Sequence, residues 1–512
     1  MKKQTFLQGT IILIIAGLIT RVLGFVNKIV TARLLGAEGV GLYMMAFPTL
    51  LLIITLTQLG LPVAISKLIA EAEFKKDYVR MKKILVVSMT ITMSLSVLFT
   101  TGFIAAAPKI SGFLLTDERA YYPMLAILPI IPITAASAVL RGYFQGRQNM
   151  TPPAVSQVLE QTVRISLVAV FITILMPYGL HIAAAGAMLS VITGELISLL
   201  FMFWQFKRKK TLKVRDNFFG FLKSGRSVFH DLMAISLPAT GSRLIGSISL
   251  FFEPIIIAQS LALAGVATAV ATSQYGQLSG FVIPLLFLPT FITYSFSVSL
   301  VPSVSEAAAS KRFGIIQKRL KQTLRTAILS GGFAAIFLFV FAKEIMVVMY
   351  EAPEAAALVR ILAPFSIFLY VQGPLQAVLQ GLNLAKAAMY NTFIGAITKA
   401  GLIFIFASSP FFGIKGAAIA VAVNMMLVTL LHFITVSKAV GFTMECKYNL
   451  ISLILAAVSV FTADFTRKLL FTDFNLVFQV SAAALFSACI YSLLLLGSGT
   501  IKYTQIKKLL QR

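Results

Sequence analysis

Three cationic side chains interrupt stretches otherwise apolar enough to span a bilayer: Arg21 and Lys28 in the first such stretch and Arg243 in the seventh. A charge at the centre of a membrane costs at least about 2.5–3.5 kcal/mol, so such a residue is read as lining a protein interior or a watery cavity. A cationic cavity selects an anion. Arg21 and Lys28 are seven residues apart and return to nearly the same helix face, which makes one side of that helix basic. A guanidinium holds its charge and its planar fork matches two phosphate oxygens, so Arg21 and Arg243 together suit a diphosphate. A structural role competes with this reading: each Arg could bond helix carbonyls or a carboxylate of its own half, and Lys28 could reach an interface or an acid. Arg33, about a turn and a half beyond Lys28, is near enough to the outer surface to snorkel.

Acidic groups within apolar stretches are few. Glu160 and Arg164 are four apart, the spacing of an intrahelical ion pair. Glu195 and Glu253 stand alone; either could pair with a cavity cation or load a coupling cation. Lys399 takes the place of Arg164 in the second half of the chain, with Asn391 about two turns before it instead of a nearby Glu. Enzymatic chemistry finds little support. There is no GxxxxGK[ST] loop, GAEGVG at Gly36–Gly41 is not the GxGxxG of a dinucleotide site, and His181, His230 and His432 lack ligand spacing. No catalytic residue, cofactor or metal is expected, and Asp117 and Glu118 are the only adjacent acids in short outer loops.

These residues must be positioned by membrane helices. Hydrophobic residues make up 58% of the 512 positions, charged ones 12%, and mean hydropathy is +0.91. Apolar runs of about 20 residues, enough to cross a bilayer as helix, recur along the chain, and we read 14 spans. A net charge of +26 would suggest nucleic acid in a soluble protein. Here most of the Lys and Arg fall in alternate loops, the positive-inside bias, which places both termini in the cytoplasm and excludes nucleic acid as a partner. The densest basic stretches, Phe206–Arg226 and Ser310–Arg325, also suit anionic membrane lipids. The amino end has no small-x-small cleavage site, so its apolar run reads as an uncleaved first span. Cys446 and Cys489 imply neither disulfide nor metal site.

The chain repeats itself. Pro129 and Pro364, Gln145-Gly146 and Gln380-Gly381, and Arg164 and Lys399 match at an offset of about 235 residues. Val63–Ser66 answers Pro302–Ser305 slightly off that register, and LITRVLG around Arg21 answers TGSRLIG around Arg243. Spans one to six thus resemble seven to twelve, giving a six-helix bundle over 1–206, a basic linker over 207–230, a second bundle over 231–438, and two further spans with a tail over 439–512. The expected fold is all-α and polytopic, with two pseudo-symmetric bundles around a central cavity. Transporters built from parallel repeats bind substrate between the halves near mid-membrane and rock one against the other, so Arg21 and Arg243 are expected to face each other there. Pro48, Pro62, Pro129, Pro132, Pro238, Pro254, Pro284, Pro289, Pro364 and Pro374 lie in or at the ends of spans, where they permit bends.

The segments LITRVLGFVNKIVTARLLGAEGVGLY, LRGYFQGRQNM, LEQTVRISLVAV, ISLPATGSRLIGS, FFEPIIIAQSLA and GPLQAVLQGLNLA resemble the stage V sporulation protein B group. That group belongs to the multidrug/oligosaccharidyl-lipid/polysaccharide exporter superfamily, and the resemblance runs from about Phe6 to Ser437. It implies two six-helix bundles in a V with two extra helices. It also implies transport of a lipid-linked anionic saccharide, a peptidoglycan precursor for spore cortex, with cortex-synthesis enzymes as candidate partners. The lipid II flippase branch carries an SRVLGFVRD type of motif in its first helix; here it is TRVLGFVNK, so Arg21 matches the first Arg, Asn27 replaces the second and Lys28 replaces the acid. Two other classes compete. A cation-coupled multidrug exporter of the same fold would want an anionic or aromatic cavity, and a non-transporting membrane factor for cortex assembly would need no cavity charge.

Overall fold

The computed structural model describes residues 6–111, 116–208, 218–444 and 446–498, and every element among the described residues is helical. Residues 209–217, which hold half of the basic residues of the Phe206–Arg226 stretch, lie outside the described residues, as do the Met1–Lys3 end and the side chain of Cys446. The chain divides into two compact units, the first ending at Gly276 and the second beginning at Gln277.

The first unit holds α1 (Phe6–Gln58), α2 (Leu61–Phe74), α3 (Tyr78–Lys109), α4 (Tyr121–Ile127), α5 (Ile130–Gly146), α6 (Thr151–Leu175), α7 (Leu180–Arg208), α8 (Phe218–Lys223), α9 (Arg226–Leu263) and α10 (Thr268–Tyr275). At 53 residues α1 is too long for one crossing, and it is two helices that meet at Gly36, whose φ of 67° and ψ of −179° break the helical path. The Asp77 side chain caps α3 by accepting from the Arg80 N–H at 2.8 Å. Leu61, Ile65, Met81, Tyr143 and Leu232 form a fully enclosed core where α2, α3, α5 and α9 converge.

The second unit holds α11 (Ile283–Phe287), α12 (Thr290–Ala309), α13 (Phe313–Val340), α14 (Ala342–Tyr350), α15 (Ala356–Leu362), α16 (Ser366–Gly381), α17 (Ala385–Ala407), α18 (Ile414–Val440), α19 (Cys446–Leu470) and α20 (Leu476–Gly497). The last two helices are held to their unit by Arg467 of α19, which reaches Glu344 on α14, Asp464 on its own helix and Gln479 on α20 at 3.0, 3.0 and 3.1 Å.

The repeat read from the sequence recurs as structure. Glu118–Ala120, a short 3-10 turn, then α4 and α5 broken at Pro129, have their counterpart in the turn Pro353–Ala355, then α15 and α16 broken at Pro364. The paired motifs also touch. A Cβ on Gly146 would lie 2.6 Å from the Ser66 carbonyl oxygen, and one on Gly381 would lie 2.9 Å from the Val301 carbonyl. In the second unit Ser305 adds a bond from its hydroxyl to the Gly381 carbonyl at 3.0 Å. Small residues at a helix crossing let backbones approach within a membrane, where dispersion rather than water drives packing.

Among the described residues eleven stretches are long and apolar enough to cross a membrane, or up to 13 when each of two bent helix pairs is taken as one span. The expected count was 14. The difference has its physical reason at Gly36: no polar loop separates the first two expected spans, so α1 is helical on both sides of a single residue and both spans fall within one stretch, Ile15–Phe74. The two bent pairs turn by 55° and 53° at Pro289 and Pro364, both among the prolines expected to bend spans.

Candidate functional site

Before its break, α1 has two exposed faces of opposite chemistry. Ile15, Ile19, Val22 and Val26 are exposed. At about 100° per residue they fall within an arc of about 60°, an apolar stripe whose Ile15 and Ile19 border a pocket against α6. Arg21 and Lys28 are exposed as well, about 20° from each other and about 140° from that stripe. The cations therefore do not share the apolar side. Arg33 falls at the angle of the apolar stripe, three residues before Gly36, and is exposed. Gly17 and Gly24 lie on the basic face: a Cβ on Gly17 would meet nothing within 4 Å, and one on Gly24 only the Gln161 Oε1 at 3.8 Å.

Arg243 is also exposed, and it belongs to the same unit on α9. Ser247, one turn further along α9, has its hydroxyl 2.8 Å from that of Thr55. Arg243 is thus brought to the part of α1 beyond Gly36, whereas Arg21 lies before it. Gly246, three residues after Arg243 as Gly24 is after Arg21, also has open space where a Cβ would be.

The acids of the first unit form a separate, buried centre. Arg164 on α6 donates to Glu160 one turn earlier at 2.9 Å, the intrahelical pair expected from spacing. Arg141 on α5 donates to Glu195 on α7 at 2.7 Å and lies 3.7 Å from Glu160. One guanidinium therefore joins three helices and faces two carboxylates. Gly194 lets Glu195 reach this place, because a Cβ there would stand 2.8 Å from the Glu160 carbonyl oxygen. Sequence reasoning missed Arg141, although the rarity of arginine within a span, the argument applied to Arg21, holds for it equally. The remaining candidates lie elsewhere: Glu253 on α9 and Lys399 on α17 are each half-buried. Asn391, expected in place of an acid, donates to Thr435 at 3.0 Å and lies 3.1 Å from the buried His432, a neutral set where the first unit has charges.

A third cluster ties loops expected on the outer side. The Asp117 carboxylate accepts from Arg119 at 2.9 Å and from the Thr272 hydroxyl at 2.7 Å, and Arg119 donates to Glu38 at 2.6 Å. Burial alone would raise the Asp117 carboxyl, but the hydrogen bonds from Arg119 and Thr272 outweigh it and hold the group below its ordinary value. Beside it α1 and α10 cross so closely that a Cβ on Gly41 would run into the Thr272 carbonyl and one on Gly276 into that of Ala37. Of the two adjacent acids, Asp117 is thus part of a structural knot. Among the described residues no group of His, Cys, Asp and Glu is arranged to hold a metal.

A family model described as polysaccharide biosynthesis protein matches residues 6–307, and one described as MatE matches residues 254–405. Stage V sporulation protein B of Bacillus subtilis (strain 168) is 53% identical over 509 residues, which cover 99% of this chain and 98% of that protein. Lipid II flippase MurJ of the same organism is 25% identical over 480 residues, 88% of this chain and 86% of that one. Among solved structures, a lipid II flippase MurJ in an inward closed conformation matches with a TM-score of 0.69 at 15% identity, covering 94% of this chain and 97% of that one. An inward-facing multidrug resistance MATE family transporter of the MOP superfamily gives 0.66 at 19%, covering 82% and 94%. At these identities the structural likeness shows the fold alone. Matched by the first family model over more than half of its length, and by the sporulation protein over nearly all of it, the chain belongs to the polysaccharide biosynthesis protein family, as a multi-pass membrane protein.

Proposed function

We propose that this protein carries a polyprenyl-diphosphate-linked saccharide from the inner to the outer leaflet by alternating access, with Arg21, Lys28 and Arg243 binding the diphosphate. The separation of the two exposed faces of α1 carries the reading: Arg21 and Lys28 lie about 140° from the exposed apolar stripe, which fits cations that face an aqueous space rather than acyl chains. The relative named for flipping lipid II and the relative named for sporulation support a peptidoglycan precursor, destined for the spore cortex, as the cargo. A cation-coupled drug exporter is disfavoured because Glu160 and Glu195, the buried acids it would use in this unit, are each matched to a guanidinium.

The test is translocation in proteoliposomes of a fluorescent polyprenyl-diphosphate sugar, read by its accessibility to an outside quencher. Wild type should move the lipid, while Arg21→Ala and Arg243→Ala should each lose at least about tenfold with normal protein level, since a charge-assisted bidentate bond contributes about 1.5–3 kcal/mol. Lys at either position should rescue partly, because a point charge lacks the fork. Transport unaffected by both Ala variants, with cationic dyes bound through Glu195 or Glu253, would establish the exporter instead.

A further inference from the structure

Where α2 turns into α3, on the side expected to be cytoplasmic, large apolar side chains stand out from the protein. Phe74 is 86% exposed, and Tyr78 and Val79 are exposed beside it. Phe74 follows Lys67, Glu71 and Glu73 on α2, so it lies past the apolar part of its span, and the turn belongs to neither basic stretch read from the sequence. The short α8 is fixed against the same helix. Lys82, one turn after Tyr78 on α3, stands 5.9 Å from the centre of the Phe221 ring, and a Cβ on Gly225, just after α8, would run into Val87. This places Phe219 of α8, 82% exposed, at the same end of the unit.

The charge around these rings is basic, because the acids nearby are held inside the protein. Glu73 lies 2.8 Å from Arg147, Asp77 caps α3, and Asp231 pairs with Arg80 at 3.0 Å. Glu71 is exposed, against Lys75, Lys76, Lys223 and Arg226 exposed and Lys82 and Lys83 half-buried. The end of α7, whose Phe206 packs on the core shared with α3, repeats the pattern. Lys207 stands 4.8 Å from the Phe203 ring and Arg208 5.2 Å from that of Trp204, and both rings are exposed. On α7 the cation follows its ring by one turn toward the end of the helix. Charge alone would suit any acidic partner. Rings interleaved with cations match a bilayer surface, where phosphates overlie apolar carbon and long basic side chains reach from one to the other.

We propose that the α2–α3 turn and α8 form an interfacial foot that lies in the headgroup layer of an anionic leaflet. The rings of Phe74, Tyr78 and Phe219 enter the acyl boundary, and the lysines around them hold lipid phosphates. The foot is independent of the cargo: it selects the membrane in which the protein sits rather than the molecule it carries.

The experiment uses the full-length protein in nanodiscs, which leave both faces open to solvent. The chain has one tryptophan, so Trp204→Phe gives a silent background in which Phe74→Trp or Phe219→Trp is the sole reporter. Lipids brominated in the upper acyl chain should quench both reporters, and about twofold more strongly when about 30% of a zwitterionic lipid is replaced by phosphatidylglycerol. Salt at about 1 M should remove that gain by screening the lysines. Changing Lys75, Lys76, Lys82 and Lys83 together to Gln should remove it as well, with an unfolding temperature near that of wild type. Trp204 of the unaltered protein, which needs no substitution, should show the same dependence on phosphatidylglycerol. Reporters reached by aqueous iodide and untouched by brominated lipid would overturn the proposal and mark the surface as a dock for a soluble acidic protein. Quenching equal in both lipid mixtures would overturn it too, since the cations would then select nothing.

Discussion

At the scale of single residues, Arg141 does more than any acid can. Its guanidinium serves Glu195 at 2.7 Å and approaches Glu160 at 3.7 Å, so its removal leaves two buried carboxylates with only Arg164 between them. Arg141→Met should destabilise the protein by about 3–5 kcal/mol, the range for one partner lost from a buried pair, and Arg141→Met combined with Glu195→Leu should recover much of it. Thermal unfolding in detergent checks both; equal destabilisation by the single and double variants would show that the charges are not coupled. Half of this centre was legible in the sequence. The pair Glu160 and Arg164 is local and follows from helix periodicity, whereas Arg141 and Glu195 are 54 residues apart and meet only through helix packing. Asp117 makes a pH prediction. Its folded pKa lies below its ordinary value of 3.8, so the stability it adds is fully present above that value and is lost as the pH falls through the lower, folded one. Wild type should therefore exceed Asp117→Asn in thermal stability at neutral pH, and the gap should close below about pH 4. A gap that persists in stronger acid would mean that the neutral carboxyl holds the loop equally well.

Among the helical elements, the repeat was readable because its punctuation is covalent. Pro129 and Pro364 break matching spans, and Gly146 and Gly381 mark matching crossings. The positions of the partners were readable only as motifs, Val63–Ser66 and Pro302–Ser305, with no sign that each packs on the glycine of its own half. Gly146→Leu and Gly381→Leu should each destabilise by at least about 1–3 kcal/mol through overpacking, and by similar amounts, since both would press on a helix backbone. Purified yield and unfolding temperature of the two variants would test this. A tolerant Gly381→Leu beside an intolerant Gly146→Leu would show that the two crossings are not equivalent. Open glycines such as Gly17 could not be told from packed ones by sequence, because the difference lies in what faces them.

For the whole molecule, the loop charges predict an orientation, and the contacts keep segments expected on one side together. Arg80 pairs with Asp231 at 3.0 Å, both in segments expected inside, and Glu38, Arg119 and Thr272 gather where the outer side is expected. In a background with both native cysteines replaced, Glu118→Cys should react with an impermeant thiol reagent added to cells, and Ser224→Cys only after the membrane is opened; both positions are exposed. The reverse pattern would invert the orientation. Membrane class and repeat were thus open to reading from composition and sequence alone. The junction between the first two spans was not, because no loop announces it. Gly36 makes that junction at φ 67° and ψ −179°, with nothing within 4 Å of where a Cβ would be. The constraint there is one of handedness rather than of room. Reflected, those angles become the ordinary extended conformation of an L-residue, so a D-amino acid would sit at Gly36 without strain, while any residue the ribosome can add in its place is the wrong mirror image. Achirality is what this position requires, and glycine is the only genetically encoded residue that has it.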